Sequence, residues 1–297
     1  MKNINKISVL TISTFLFLLM FSCTSPAGSN IPQIMSVQDT GIITDSVSGL
    51  VAGLPLDGEY IQDNPSVVRN PEDNEYEWSA GLEGNAFKGD EDGDFLRLEN
   101  DDFPQLSTSG TLEVWIYPQD DDNDPETQDN YWTGILHKGE RPEIHEDGWF
   151  YVDEAWSLQF EYDRKPMLTV VFPKEDSDGN IKLTPVSLSS EITVELDTWT
   201  HLAASWSYSS EENSITMSFY INGELVKTLT TDAAGPVRTT DGDIIVGSQL
   251  PEKYNEKYGH MTFTGLIDNA GIYNVERSAQ QIKEDYEKLA SAAESWN

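Results

Sequence analysis

Asp268 stands inside the apolar stretch FTGLIDNAGIYN (Phe263 to Asn274), among Leu266, Ile267, Ile272 and Tyr273. An ionised carboxylate is costly to desolvate there without compensation, and no Lys or Arg lies close by in sequence. One chemistry that meets the need is donation from backbone N–H groups at a strand corner. A second constellation is ERPEIHEDGWFYVDEAW (Glu140 to Trp156), where Trp149, Phe150 and Tyr151 follow Asp147 and Gly148. Aromatic faces stack on the C–H faces of sugar rings while a carboxylate accepts from hydroxyls. The alternative for this segment is a strand with Phe150 in the core. The four histidines, His137, His145, His201 and His260, contain no His-x-x-x-His pair, so they give no support to a metal site. DDDNDPETQDN (Asp120 to Asn130) begins like a calcium loop, but Pro125 takes the place of its glycine and Tyr131 that of its glutamate. DEDGD (Asp90 to Asp94) has its glycine too early. Both read as solvated loops.

The elements that must position these groups are short strands. TLEVWIYP (Thr111 to Pro118) puts Leu112, Val114 and Ile116 on one face, Trp115 and Tyr117 on the other. WSLQFEYD and MLTVVFP flank a turn at Arg164–Pro166. HLAASWSY follows a polar corner, and SITMSFYI runs into Asn222-Gly223, a strong hairpin signal. ELVKTLTT, DIIVGS and MTFTGLID continue the series, which predicts an all-β antiparallel sandwich. Ser278 to Trp296 alone looks helical, with an N-cap serine and Ile282, Tyr286 and Leu289 on one side. This helix is expected to cover an open end of the sandwich.

The chain opens with Lys2, Lys6 and the apolar run Ile7 to Phe21, followed by Ser22 and Cys23. That pattern is a secretory signal, shorter than the roughly 20 apolar residues of a membrane span. Cys23, the single cysteine, follows LMFS and resembles the lipobox of bacterial lipoproteins. The resemblance implies cleavage after residue 22 and a lipid anchor on Cys23, with more than one acyl chain for stable attachment. Thr24 in place of aspartate implies an outer membrane or cell-surface location in the envelope. Residues 23–49 carry no basic or aromatic side chain and read as a tether, leaving 50–297 as one domain. With 52 acidic against 18 basic residues, a net charge of −34 repels phosphates and excludes nucleic acid as a partner.

LVAGLPLDGEYIQDNPS, GLEGNAFKGDEDGDFLRLEN, STSGTLEVWIYP, GILHKGE, DTWTHLAASW, FYINGELV, DIIVGS and FTGLIDNAGIYNVERSAQQI follow one another in this order. Together they resemble the laminin-G-like, concanavalin A-like jelly-roll family over about Leu50 to Tyr286. The resemblance implies a concanavalin A-like jelly-roll sandwich with a C-terminal helix. It also implies a structural calcium ion held by Asp268 and Asp63, with Asp57 as a third ligand, tying the first strand to the last. Calcium takes six to eight oxygens and would offset the burial of carboxylates. Asn269, Ala270 and Gly271 stand where many members carry glutamate, valine and arginine.

Retaining glucanases of the same architecture use Glu-x-Asp-x-Glu on a strand, whose period-2 spacing points three carboxylates into one cleft. Glu161-Tyr162-Asp163 and Glu195-Leu196-Asp197 come nearest, but Lys165 and Trp199 occupy the third place. The expected function is therefore a non-catalytic, lipid-anchored, lectin-like module that binds a glycan or an envelope protein, with Trp149, Phe150, Tyr151 and Asp147 at the ligand. A glycan-cleaving enzyme with another carboxylate pair and an adhesion or assembly protein are the alternatives.

Overall fold

The structure, a computed structural model, describes residues 49–56, 67–68, 77–90, 95–98, 105–120, 133–144, 150–249 and 262–296. The strands are β1 (Leu50–Leu54), β2 (Val67–Val68), β3 (Glu77–Ala80), β4 (Asn85–Gly89) and β5 (Leu96–Leu98). They continue with β6 (Ser109–Pro118), β7 (Gly134–Ile144), β8 (Phe150–Phe160), β9 (Pro166–Glu175) and β10 (Ile181–Ser189). The last five are β11 (Thr200–Ser209), β12 (Ser214–Ile221), β13 (Glu224–Asp232), β14 (Ile244–Val246) and β15 (Gly265–Tyr273), before helix α1 (Ala279–Ser295). An eight-stranded sheet runs β13-β12-β11-β6-β15-β4-β3, with β1 also paired to β15, and a seven-stranded sheet runs β10-β9-β8-β7-β14-β5-β2. The pairings are antiparallel, and the two sheets form the expected jelly-roll sandwich.

Alternation along the strands sorts the chain into layers. Leu112, Val114 and Ile116 of β6 pack between the sheets with Leu202, Ala204 and Trp206 of β11 and Trp156, Leu158 and Phe160 of β8. Trp206 needs room: a Cβ on Gly110 across the ladder would stand 2.3 Å from its ring. Its indole N–H donates to the Leu106 carbonyl at 3.1 Å. The β12–β13 hairpin turns at Asn222 and Gly223 with φ of 50° and 74°, the left-handed pair that this dipeptide favours.

The opening and closing strands meet. β15 pairs with β4 through Gly265–Ile267 and with β1 through Ala270–Tyr273, while β6 lies along its other edge. Helix α1 starts at Ser278, whose side chain accepts the Gln281 N–H while the Gln281 side chain accepts the Ser278 N–H. It covers the outer face of the eight-stranded sheet, not an open end. The reason lies in the outward rows of β6, β11 and β12, where Trp115, Ala203 and Tyr220 are apolar and need a lid. Leu289 packs with Trp115 and Trp199, and Ile282 with Ala203 and Tyr220. Among the described residues no helix is long and apolar enough to cross a membrane.

Strand β10 is one that the patterning above does not mark. Its sequence, IKLTPVSLS, holds a proline and four polar residues, yet it pairs with β9 at nine consecutive positions. Proline is tolerated because β10 is an edge strand.

Candidate functional site

Asp268 sits at a bulge. Asp268 pairs with Trp115 and Gly271 with Glu113, so β15 spends one more residue than β6 across this interval. Asn269 takes the left-handed conformation there, with φ of 48°, which asparagine adopts more readily than most residues. The Asp268 side chain is fully buried, and its Oδ2 accepts the Leu82 N–H at 2.7 Å. A Cβ on Gly81 would stand 2.6 Å from both that oxygen and the Asn85 carbonyl oxygen. The carboxylate therefore ties the closing strand to the β3–β4 turn, which supplies the backbone donor expected at a strand corner.

A carboxylate and a carbonyl around Gly81 are donors of the kind calcium takes. β1 leads toward the same place, since Leu54 pairs with Ala270. The described oxygens fit the ion's chemistry without filling its shell, and among the described residues no three His, Cys, Asp or Glu side chains cluster for a metal. Asp57 and Asp63 lie outside the described residues, as do Cys23, Asp147, Trp149, His145 and His260. Phe150 and Tyr151 open β8, where their backbones pair with Ile144 and Glu143.

From there β8 crosses the seven-stranded sheet. Because Trp156, Leu158 and Phe160 point into the core, Ser157 and Gln159 point outward. His137, Ser157, Thr169 and Ser187 are successive partners across β7, β8, β9 and β10, and so form one outward row. Gln159 Oε1 accepts from Ser157 Oγ at 3.0 Å and from Gln249 Nε2 at 2.8 Å. The Thr169 and Ser187 hydroxyls bond at 2.9 Å, and His137 Nδ1 lies 3.6 Å from Glu154 Oε1. The row is buried at its centre and opens to solvent at Ser187. Its chemistry is that of hydroxyls, amides, one imidazole and one carboxylate, suited to binding neutral polar groups by hydrogen bonds.

Beneath α1 the other outer face is built from charges. Arg277 Nε lies 3.2 Å from Glu113 Oε1, and Arg277 Nη2 lies 2.5 Å from Asp285 Oδ2. Lys288 reaches the second oxygen of Asp285 at 2.6 Å, and His201 Nε2 stands 3.6 Å from Glu113 Oε2. Glu113, His201, Arg277 and Asp285 are each at most 3% exposed. The Arg277 guanidinium also lies 4.2 Å over the Tyr273 ring, whose hydroxyl is pushed well up by burial and then by Glu113. Sequence reasoning does not find this cluster, because its members come from β6, β11, the segment after β15, and α1. One signal was present: Glu113 interrupts an apolar strand as Asp268 does.

The two acidic pairs that come nearest to a catalytic motif, and lack its third carboxylate, both lie at turns. Asp163 lies in the tight turn Tyr162–Arg164 with φ of 56°, and Asp197 precedes β11 with φ of 52°. Strand alternation does not apply to either pair, so neither has two carboxylates aligned on one sheet face.

A family model described as the concanavalin A-like lectin/glucanases superfamily matches residues 90–283. Comparison with curated protein sequences returns no match. Among solved structures the chain is similar to domain 4 of AbnA, a GH43 extracellular arabinanase from Geobacillus stearothermophilus, in complex with arabinotriose. The identity is 17%, covering 80% of this chain and 98% of that one, with a TM-score of 0.47. It is also similar to the binding domain of Paraclostridial Mosquitocidal Protein 1, at 12% identity over 80% of this chain and 52% of that one, TM-score 0.50. The binding domain of Botulinum neurotoxin serotype G gives 13% identity over 82% and 51%, with the same TM-score of 0.50. This chain thus spans about half of each of the last two. At such identities the likeness to these two binding domains is one of fold.

Proposed function

The chain belongs to the concanavalin A-like lectin/glucanases superfamily, and from that premise we propose that it is a non-catalytic carbohydrate-binding module, anchored in the cell envelope by a lipid on Cys23. The observation that carries the non-catalytic half is the position of the acidic pairs. Asp163 and Asp197 lie within turns, whereas the motif that aims its carboxyl groups into one cleft needs them at alternate positions of a strand. The ligand is assigned to the segment Asp147–Tyr151 at the start of β8, where aromatic rings stack on sugar and Asp147 accepts from hydroxyls.

A glycan array and polysaccharide pull-down test this reading. Trp149→Ala is expected to lose binding roughly tenfold or more with an unchanged melting temperature. Release of reducing ends from a bound polysaccharide would make the protein an enzyme instead. Failure to bind any glycan, with a reproducible protein partner, would favour assembly. The anchor is tested by fractionation, in which Cys23→Ala should move the protein out of the outer-membrane or cell-surface fraction.

A structural calcium ion is a second proposal, favoured by the Asp268 and Asn85 oxygens gathered at Gly81. Asp268, Asp63 and Asp57 would hold it, and the ion would supply charge compensation for the buried carboxylate. Added Ca²⁺ is expected to raise the melting temperature, a chelator to lower it, and Asp268→Ala to abolish that response. An unchanged melting curve leaves Asp268 to its bond with Leu82.

A further inference from the structure

Ile181 and Leu183 of β10 are 64% and 52% exposed, the two most apolar breaks in an otherwise polar edge. Both face away from the core: their neighbours Thr184, Val186 and Leu188 pair with Phe172, Val170 and Leu168, which lie inside it. Ile181, Leu183 and Pro185 therefore form an apolar strip on the outer face, and all three are exposed.

Among the described residues the backbone of the strip is open as well. In an antiparallel strand a residue's N–H and C=O point to the same edge, and the edge alternates along the chain. Asn180 gives its carbonyl to Asp176, and Ser190 gives its N–H to Pro166, so the even-numbered residues face β9. Odd-numbered residues consequently face the other edge, along which no described strand pairs with β10. Two further observations agree. Pro185, which has no N–H, falls in the odd set, and the Ser189 carbonyl is taken by Lys227 from the other sheet. Toward the start of the strand, Ile181 and Leu183 thus present apolar side chains and two open donor–acceptor pairs together.

The charges around the strip choose its occupant. Glu175, Asp176 and Asp178 stand at the end beside Ile181, whereas at the far end Glu191 is already paired with Lys227 at 3.1 Å. Lys182, the cation within the strand, is engaged by Asp176 at 2.7 Å. A second copy of the chain would bring carboxylates against carboxylates, each copy carrying −34.

We propose that the open edge of β10 is a docking site for an extended segment of a partner protein, apolar at alternate positions and basic at one end, which adds a short strand beside Ile181 and Leu183. Alternating side chains supply specificity and the backbone supplies affinity, while flanking lysines or arginines meet the carboxylates of Glu175 and Asp178. The site is independent of the carbohydrate reading, which concerns the segment before β8.

The probe is a fluorescein-labelled peptide of alternating valine and threonine with paired lysines at one end, followed by anisotropy with the whole mature chain. It is expected to bind, to weaken as salt is raised, and to fail when its lysines are replaced by glutamates or its alternate amides are N-methylated. The double variants Ile181→Lys/Leu183→Lys and Ile181→Thr/Leu183→Thr should each cost roughly tenfold or more in affinity. The threonine pair keeps strand propensity, so a melting temperature equal to wild type shows that its fold is intact. Absence of peptide binding, or binding by both double variants as tight as that of wild type, overturns the proposal. So does concentration-dependent dimerisation in sedimentation that the same variants abolish, because a second copy would then be the occupant. Glycan binding should be the same in wild type and variants; its loss together with peptide binding would merge the two sites and overturn the assignment.

Discussion

On the outer face of the eight-stranded sheet, two buried carboxylates, Glu113 and Asp285, meet Arg277 and Lys288 under a helix. On the outer face of the seven-stranded sheet, the described groups are mostly hydroxyls and amides, joined in short bonds such as Ser157–Gln159–Gln249. The first face gains its cover from the chain's own C-terminus, and its charges neutralise one another across β6, the Arg277 segment and α1. Apart from the His137–Glu154 contact, the second carries uncharged hydrogen-bonding groups and opens to solvent toward β10. A sheet face sealed by ion pairs is committed to a single arrangement, because breaking one pair strands a charge. A face of hydroxyls and amides can exchange partners, which is what recognition of a polar ligand requires.

Breaking the first face should have the largest effect. Arg277→Met leaves Glu113 and Asp285 buried beside one fewer cation, and removing one partner of a buried pair costs about 3–5 kcal/mol. Urea denaturation measures the loss, and hydrogen exchange should show α1 released first. The sharper form of the comparison removes the network whole. Glu113→Leu, Arg277→Met and Asp285→Leu together should be close to neutral in stability, since no charge is left unpaired at its centre. A triple variant as unstable as Arg277→Met alone would show that packing, not charge, holds the helix.

The second face should respond less. Gln159→Leu removes the acceptor of two donors, Ser157 Oγ–H and the Gln249 amide. Leaving the buried Ser157 donor unsatisfied costs about 1–3 kcal/mol, while the half-buried Gln249 amide can turn to water. Adding Ser157→Ala should restore part of the loss, because one stranded donor disappears with it. The pair of urea midpoints reads the difference, and full additivity would show that the Ser157–Gln159 bond contributes nothing.

How much of this was legible in sequence depends on whether the signal was local. The split of β6 into Leu112, Val114 and Ile116 against Trp115 and Tyr117 follows from alternation, and the Asn222-Gly223 turn from its left-handed φ values. Ser278 was readable as an N-cap for the same reason. β10 was not, because Pro185 and the hydroxyl residues mask a strand whose stability comes from nine pairings to β9. The position of α1 was misjudged because the apolar outward row lies on three different strands. Asp268 announced itself as a buried carboxylate, but its donor, Leu82, is 186 residues away. The network under α1 is assembled from four segments, and no spacing rule spans them.

The smallest effect contrasts two buried cations among the described residues. Arg277 touches two carboxylates, whereas Lys138 of β7 gives a bond to the Gly242 carbonyl. Burial holds Lys138 down at about 8 against its ordinary 10.5, outweighing the opposite pull of Asp243 and Asp241. A lowered value means that the unfolded chain holds this proton more tightly than the folded one. Below about 8 both states are protonated and the burial penalty is present in full; between about 8 and 10.5 the folded lysine is neutral and the penalty is relieved. Stability from this group therefore rises with pH across that window. Tyr117, Tyr220 and Tyr273 are shifted upward by burial and act in the opposite sense, but only above their ordinary value of 10.0. The clean interval is thus from about 8 to 10.0. There the urea midpoint of the wild type should climb relative to that of Lys138→Met, and parallel profiles would mean that Lys138 keeps its proton in the folded state.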